Sequence, residues 1–205
     1  MKNLKPHKVN DLDNFIAGWY DPEMENFSDL VLDFYKQSPN KVPGRVHRYG
    51  ESQVFVDDKI STEVALGWDN PLNKEYFRIL QNTVSAYIEK YPWSNAYSPW
   101  TCLQAPNIQH YKPHEGYFVW HTERGIPTEP VVSRHLVFMT YLNDVTDAGE
   151  TEFFHQKIKI KPEKGLSIIW PADWTFVHRG VTSPTQEKYI ITSWFNYVQN
   201  FTPSR

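Results

Sequence analysis

Apolar residues in the first half of the chain recur at helical spacing. In "NPLNKEYFRILQNTVSAYIEKYP" an apolar side chain returns every three or four residues, which predicts an amphipathic helix. Asn70 can cap this helix, Pro71 suits its first turn, and the helix is expected to end before Pro92. A second helix is predicted over about residues 28–37, with a buried side formed by Leu30, Val31, Phe34 and Tyr35.

The second half of the chain has a different pattern. From residue 107 onward, short segments rich in β-branched and aromatic residues alternate with Gly, Pro, Asn and Asp. Without helical segments between them, they favour a sandwich or jelly roll over a parallel sheet, with the N-terminal helices covering one outer sheet face. The strands are predicted near residues 107–112, 117–123, 134–142, 151–160, 166–170, 174–179 and 187–197.

The length favours one folding unit. With 205 residues the chain can bury one sizeable core, and a second independent domain is not expected. We therefore predict a single domain over 1–205, mainly β, in which a helix-bearing region over 1–105 supports a β core over 106–200.

Net charge and cysteine content limit which classes of partner and which cellular compartment are expected. The net charge of −3, with both signs mixed along the sequence, gives no basic surface for a phosphate backbone, so a nucleic-acid partner is not expected. The lone Cys102 cannot form an internal disulfide, and the opening "MKNLKPHKVN" has no apolar signal core. No apolar run is long enough to cross a bilayer, so we expect a cytoplasmic protein without a membrane segment. The sequence gives no oligomeric state.

A histidine and a glutamate lie two residues apart in the strand-like segment "GYFVWHTERG". Residues i and i+2 of a strand share a face, so His121 and Glu123 are expected to project together. Alone, such a pair is more typical of a structural or solvated contact. His178, in "WTFVHRGVTSP", is the candidate third ligand. Two histidines and one carboxylate leave coordination positions open, as in non-haem Fe(II) oxygenases.

A lysine follows the distal histidine at a distance of ten residues. In "EKYIITSWF", strand alternation places Lys188 on the same face as Ile190, Thr192 and Trp194. A lysine on an apolar face is costly to bury unless it meets an anion. We interpret that anion as the carboxylate of a cosubstrate.

The remaining histidines compete poorly as metal ligands. His110 and His114 have the spacing of a helical zinc pair, but Pro113 and Gly116 argue against a helix there. His135 and His155 have no carboxylate two residues on, and the others occur in polar N-terminal segments.

An ordered series of segments over residues 107–197 resembles the Fe(II)- and 2-oxoglutarate-dependent dioxygenases, particularly their prolyl 4-hydroxylase-like branch. The first, "HYKPHEGYFVWHTE", is similar to the family's tyrosine-containing segment that leads into His-x-Asp, and "RHLVFMTYLND" to the strand after it. The later ones, "AGETEFF", "IKPEKGLSIIW" and "HRGVTSPTQEKYIITSWF", resemble the Gly-Gly-x-Thr-x-Phe turn, the Pro-x-x-Gly strand and the closing segment with distal histidine, basic residue and aromatic strand.

The resemblance implies a role for each matching residue. His121, Glu123 and His178 would hold Fe(II), and Lys188 would bind the distal carboxylate of 2-oxoglutarate. Tyr141 and Thr192 would support that carboxylate by hydrogen bonds, and Tyr111 would contact the cosubstrate near the metal. Ordinary strand packing explains Tyr141 and Thr192 equally well. The implied fold is a double-stranded β-helix, a relative of the jelly roll.

The sequence departs from the family pattern at two positions. Glu123 stands where aspartate is usual, although some related oxygenase branches use glutamate there, and its extra methylene lengthens the reach by roughly 1.5 Å. Ala148 stands where the turn usually begins with two glycines.

The implied activity is hydroxylation of an unactivated C–H bond with O2 as second cosubstrate and release of succinate and CO2. Peptidyl proline is one candidate substrate, and a free amino acid or another small molecule is the other. Segments 45–65 and 124–133 carry no interpretable motif. Arg124 and Arg134 are expected to be solvated rather than to reach a substrate carboxylate. Two alternatives remain: a cupin-like metalloenzyme with non-redox chemistry, and a jelly-roll binding module.

Overall fold

The computed structural model describes residues 4–48 and 51–198. Within these ranges two α-helices, α1 (Pro22–Gln37) and α2 (Pro71–Lys90), accompany fifteen strands. The strands in chain order are β1 (Lys5–Pro6), β2 (Ala17–Tyr20), β3 (Val42–Pro43), β4 (Val46–Arg48), β5 (Glu51–Gln53), β6 (Thr62–Ala65), β7 (Trp100–Cys102), β8 (Asn107–Tyr111), β9 (Tyr117–His121), β10 (Arg134–Tyr141), β11 (Thr151–Phe153), β12 (Ile158–Ile160), β13 (Leu166–Pro171), β14 (His178–Gly180) and β15 (Lys188–Tyr197).

Helix α2 begins and ends where its sequence predicts. The Asn70 side chain accepts a hydrogen bond from the backbone N–H of Leu72, Pro71 occupies the first turn, and the helix ends at Lys90, ahead of Pro92. Helix α1 is longer than predicted. It begins at Pro22, six residues before its predicted start, because Asp21 caps it.

The buried face of α1 differs from the predicted one. Met24, Phe27, Val31 and Tyr35 form its buried stripe, at helical spacing. Leu30, which was expected on this face, is 56% exposed because it lies beside the stripe rather than on it.

The strands form two main antiparallel sheets. The major sheet has the order β1-β2-β13-β10-β15-β8-β6-β3, with β7 also pairing with β15. The minor sheet has the order β12-β11-β14-β9, and β4 pairs with β5 as a separate hairpin. The prediction of a mainly β protein without parallel strand pairing is confirmed.

Two apolar cores follow from this layering. The helices pack on one face of the major sheet, where Tyr76 and Leu80 of α2 meet Ile108, Phe138 and Ile191. The second core joins the two sheets and contains residues of the opposite face of β10, β13 and β15, namely Val137, Met139, Ile168, Trp170 and Ile190, together with Phe153 of β11. The N-terminal helices therefore cover one outer sheet face, as predicted.

Three predicted strands are corrected. The segment 151–160 is a hairpin of β11 and β12 whose turn includes Lys157 with φ +54°. The segment 174–179 is a 3₁₀ turn over Trp174–Phe176 followed by β14, which starts at His178. Strand β9 ends at His121, so Glu123 lies just beyond it.

The first 105 residues contribute more than helices. Strands β2 and β6 hydrogen-bond to β13 and β8, which makes this region part of the major sheet. These strands are at most four residues long, too short for a period-2 pattern to reveal. None of the helices in the described ranges is long and apolar enough to cross a membrane.

Candidate metal centre

Three potential ligands converge between the ends of β9 and β14. His121 and His178 face each other in the strand register, which brings their ring centroids to 4.3 Å. Oε1 of Glu123 lies 3.7 Å from Nε2 of His121 and 3.3 Å from Nε2 of His178. Within residues 4–48 and 51–198, these three side chains are the one group of at least three His, Cys, Asp or Glu whose ligand atoms all lie within 4.8 Å of one another.

Backbone carbonyls orient both imidazoles. Nδ1 of His121 lies 3.1 Å from the carbonyl oxygen of Val119, and Nδ1 of His178 lies 3.0 Å from that of Phe176. Because a carbonyl can only accept, each Nδ1 must carry the proton, and a neutral ring then presents an Nε2 lone pair toward Glu123. Hydrogen bonds of this kind fix the tautomer and the ring orientation of histidines that bind metals.

Aromatic rings hold the two histidines in place. Tyr117 stacks on His121 with a centroid distance of 3.6 Å and an interplanar angle of 8°. Phe153 and Trp170 pack around His178 at 5.5 and 5.2 Å. The imidazoles therefore have little rotational freedom.

The protonation states suit a cation. Burial lowers the pKa of His121, and the neighbouring His178 lowers it further. Burial by itself raises the pKa of Glu123, but interactions with His121 and His178 outweigh burial and hold that pKa well below its usual value. At neutral pH the site thus offers a neutral imidazole at His121 and an ionised carboxylate, which are the forms that bind metal.

The three side chains line a cavity of about 500 Å³ that also contains Lys188. Lys188, Ile190, Thr192 and Trp194 all line it, which confirms the predicted shared face of β15. Lys188 is 5% exposed, and among the described residues no carboxylate lies within ion-pair distance of its Nζ. Burial lowers the pKa of Lys188 to about 8.

The nearest partner of Lys188 is a turn carbonyl. Nζ donates a hydrogen bond of 3.0 Å to the carbonyl oxygen of Gly149. Ala148 and Gly149 both have positive φ, at +60° and +80°, so the turn uses the conformation that favours glycine even where the sequence has alanine.

Of the other residues predicted to contact the cosubstrate, two line the cavity and one does not. Tyr111 lines the cavity, its ring 4.9 Å from Nζ of Lys188, and its hydroxyl donates to Gln109. Thr192 also lines the cavity and donates to the Phe138 carbonyl oxygen. Tyr141 is fully buried outside the lining, and its hydroxyl donates to Oγ1 of Thr151 at 2.7 Å.

Arg134 and Trp194 are site residues whose function the sequence did not reveal. Trp194 Nε1 donates to Oε2 of Glu123 at 3.0 Å, and the Arg134 guanidinium stacks on the Trp194 ring at 3.4 Å. The expectation of a solvated Arg134 is wrong, because its side chain is 11% exposed. Arg124 forms a partly exposed ion pair with Asp173. Contacts across strands and loops leave no local sequence pattern.

A buried polar cluster forms another part of the cavity wall. Glu63 pairs with Lys59 and accepts hydrogen bonds from Ser61 and Asn107. Lys59, Ser61 and Glu63 fall in the segment 45–65, whose sequence carried no interpretable motif.

Of the competing histidines, His110 has a structural environment. Its Nδ1 lies 3.2 Å from the Tyr35 hydroxyl, and its ring stacks on Tyr189 at 4.2 Å. The His110 ring is therefore held by a hydroxyl contact and by aromatic stacking.

Comparison with known proteins identifies a family domain in part of the chain. Residues 106–196 match the model of the 2OG-Fe(II) oxygenase superfamily. Residues 106–196 are a 2OG-Fe(II) oxygenase domain. The family implies Fe(II) together with 2-oxoglutarate and O2, and makes the protein an enzyme. No curated protein matches the chain in sequence.

Several solved structures share the fold. A viral collagen prolyl hydroxylase from Paramecium bursaria Chlorella virus-1, in complex with 2-oxoglutarate, is 18% identical, with 93% of this chain and 99% of that chain covered and a TM-score of 0.66. A Pseudomonas putida prolyl-4-hydroxylase is 14% identical over 93% and 97% of the chains, with a TM-score of 0.66. A Trichoplax adhaerens prolyl hydroxylase, in complex with a peptide fragment of the hypoxia inducible factor oxygen degradation domain, is 17% identical over 92% and 87%, with a TM-score of 0.70. The expected double-stranded β-helix is thereby confirmed.

The residues of this 2OG-Fe(II) oxygenase domain fit the implied groups. The Nε2 atoms of two imidazoles and a carboxylate oxygen converge, an arrangement that a cation stabilises. Lys188 is a buried ammonium with only a carbonyl acceptor, which suits a carboxylate ligand.

Proposed function

We propose that this protein is an Fe(II)- and 2-oxoglutarate-dependent dioxygenase that hydroxylates an unactivated C–H bond. The observation that carries the proposal is the single cavity that joins the His121, Glu123 and His178 cluster to the buried Lys188. A binding module has no need of a buried lysine beside three converging ligand atoms. A non-redox metalloenzyme has no need of the lysine either.

In this proposal each residue has a binding or positioning role. His121, Glu123 and His178 hold Fe(II), and the ammonium of Lys188 binds the distal carboxylate of 2-oxoglutarate. Tyr111 and Thr192 form part of the cavity wall around the cosubstrate. Tyr141 acts indirectly, because its hydroxyl donates to Thr151, which lines the cavity.

When bound, Fe(II) and 2-oxoglutarate supply the oxidation: one atom of O2 enters succinate, the other enters the substrate as a hydroxyl, and CO2 leaves. The protein supplies orientation and a dry pocket. Tyr117, Phe153 and Trp170 keep the ligand imidazoles fixed, and Met139 and Ile190 add apolar wall to the cavity. No side chain is needed as a general base.

For the substrate we propose a proline residue in a peptide. Support comes from the shared fold of prolyl hydroxylases, one of which was solved with a peptide fragment. The cavity is also lined by Arg45, Ser52, Ile126 and Val131, from the two segments whose sequence had no interpretable motif. A free amino acid or another small molecule is the alternative.

The test is turnover with defined substrates. Protein loaded with Fe(II) is incubated with 2-oxoglutarate, O2 and a panel of proline-containing peptides, free proline and the other free amino acids. Release of succinate coupled to the gain of one oxygen atom by a peptide, located at proline by mass spectrometry, supports the proposal. Coupled turnover with a free amino acid alone reassigns the substrate, and failure to consume 2-oxoglutarate with any of them counts against the function.

The proposal predicts a pH dependence of 2-oxoglutarate binding. Burial lowers the pKa of Lys188 to about 8, so its ammonium form predominates below that pH and is lost above it. The dissociation constant, measured by anaerobic calorimetry, should be flat below pH 8 and rise up to about tenfold per pH unit above it. Lys188→Arg should remove the rise, because arginine stays protonated. A flat wild-type profile well above pH 8 would contradict this role for Lys188.

For the compartment we propose the cytoplasm. The single Cys102, which is a free thiol, supports this proposal because the chain carries no internal disulfide. Fractionation of cells that produce the protein is the test.

A further inference from the structure

Two side chains of the major sheet contact the carboxylate oxygen of Glu123 that faces away from the histidines. Oε1 of Glu123 faces both histidine Nε2 atoms, whereas Oε2 faces Trp194 and Arg134. The two oxygens of one carboxylate therefore have separate functions: one is free for a metal, and the other is held by the protein.

Trp194 provides the direct contact with Oε2. Its indole N–H donates to Oε2 at 3.0 Å, from a strand on the opposite wall of the cavity. Indole nitrogen can only donate, so this contact cannot be exchanged for a metal bond. A hydrogen bond to a charged acceptor is worth more than one between neutral groups.

Arg134 fixes Trp194 and adds a positive charge. Its guanidinium carbon lies 3.4 Å from the Trp194 ring centroid, and its Nη1 lies 3.6 Å from Oε2 of Glu123. The same Nη1 donates to the backbone carbonyl of Glu123 at 2.8 Å, and Nε and Nη2 both donate to Gln104. Arg134 thus holds both the backbone and the carboxylate of Glu123.

We propose that Trp194, supported by Arg134, is the positioning residue that allows a glutamate to serve as the carboxylate ligand. A glutamate has one more rotatable bond than an aspartate and loses more freedom when it is fixed. The hydrogen bond from Trp194 restricts the rotation of the Glu123 side chain before metal binds. An aspartate, shorter by roughly 1.5 Å, would hold its carboxylate away from the indole N–H. This inference rests on the proposed iron site.

The test is a double-mutant cycle read by Mn(II) affinity rather than by activity. Trp194→Phe keeps an aromatic ring for Arg134 but removes the N–H, and should weaken Mn(II) binding by about 10- to 100-fold in calorimetry. In the E123D background the same change should alter affinity less than about twofold, because the contact is already lost. Equal losses in both backgrounds would overturn the proposal, since a general structural role predicts them. Trp120→Phe is the matched control, because Trp120 precedes His121 but lies outside the cavity lining.

A second readout does not need metal. Hydrogen exchange of the Trp194 indole N–H, followed by NMR in the metal-free protein, should be protected in wild type and faster in E123D. Equal exchange rates in the two proteins would overturn the proposal. If E123D does not bind Mn(II), so that the affinity cycle cannot be completed, the exchange rates decide between the two outcomes. Failure of wild type to bind Mn(II) or Fe(II) instead counts against the proposed iron site, so the two failures are distinguishable.

Discussion

His178→Ala is expected to abolish stoichiometric Fe(II) binding while leaving the fold intact. His178 supplies one of three converging ligand atoms, and its Nε2 lies 3.3 Å from Oε1 of Glu123. Loss of partners that merely orient ligands already weakens metal binding by about 10- to 100-fold. Loss of a ligand should therefore reduce affinity by at least about two orders of magnitude.

The measurement is anaerobic titration of the purified variant with Fe(II). His155→Ala is the matched control, because His155 is exposed and lies outside the cavity lining. Circular dichroism and thermal unfolding of both variants show whether the sheets remain folded. Stoichiometric, wild-type affinity in folded His178→Ala would remove His178 from the ligand set.

Lys188→Met should weaken 2-oxoglutarate binding and stabilise the unliganded protein. A charge-assisted contact with a carboxylate contributes about 1.5–3 kcal/mol, which corresponds to a loss of affinity of about one to two orders of magnitude. The stabilisation arises because the native state keeps an ammonium in a buried cavity at neutral pH.

The sign of the stability effect follows from proton linkage. The pKa of Lys188 falls from 10.5 in the unfolded chain to about 8 in the native protein. Between these values the unfolded chain binds more protons, so wild-type stability should rise with pH from about 8 to about 10.5. Below pH 8 the full penalty applies, on the order of 3 kcal/mol. Methionine removes this penalty but leaves the Gly149 carbonyl without its donor, so a net gain of about 1–3 kcal/mol is expected at pH 7.

Two experiments measure the opposed effects of Lys188→Met. Anaerobic calorimetry gives the affinity for 2-oxoglutarate, and urea unfolding at pH 7 and pH 10 gives the stability. Lys159→Met is the control, since its amine is exposed and makes only a surface ion pair. A variant that is less stable than wild type at pH 7 would show that Lys188 is compensated in the native state, and unchanged affinity would reassign the lysine.

The sequence predicted those parts of the fold that local patterns encode. Helix α2 has a cap, a proline at each end and a complete apolar stripe, so its bounds were predictable. The hairpin of β11 and β12 was predicted as one strand because its turn, "FHQK", contains neither glycine nor proline. Lys157 adopts the left-handed backbone conformation in this turn, and lysine is not a residue type from which that conformation can be predicted.

The candidate site was predictable to the extent that its residues are close in sequence or match a family motif. His121 and Glu123 are two apart, and β15 alternates regularly from Lys188 to Trp194, so a shared face could be inferred. The contact of Trp194 with Glu123 joins residues 71 apart, and Arg134 reaches both from a third element. Such contacts depend on how sheets pack, which no local period encodes.

Anaerobic addition of Fe(II) and then 2-oxoglutarate to the purified protein tests the central claim most directly. If the cavity holds both, a weak visible charge-transfer band should appear with one-to-one stoichiometry and should be absent from folded His178→Ala. Absence of the band in folded, Fe(II)-loaded wild-type protein would contradict the proposal and favour a metal site with non-redox chemistry.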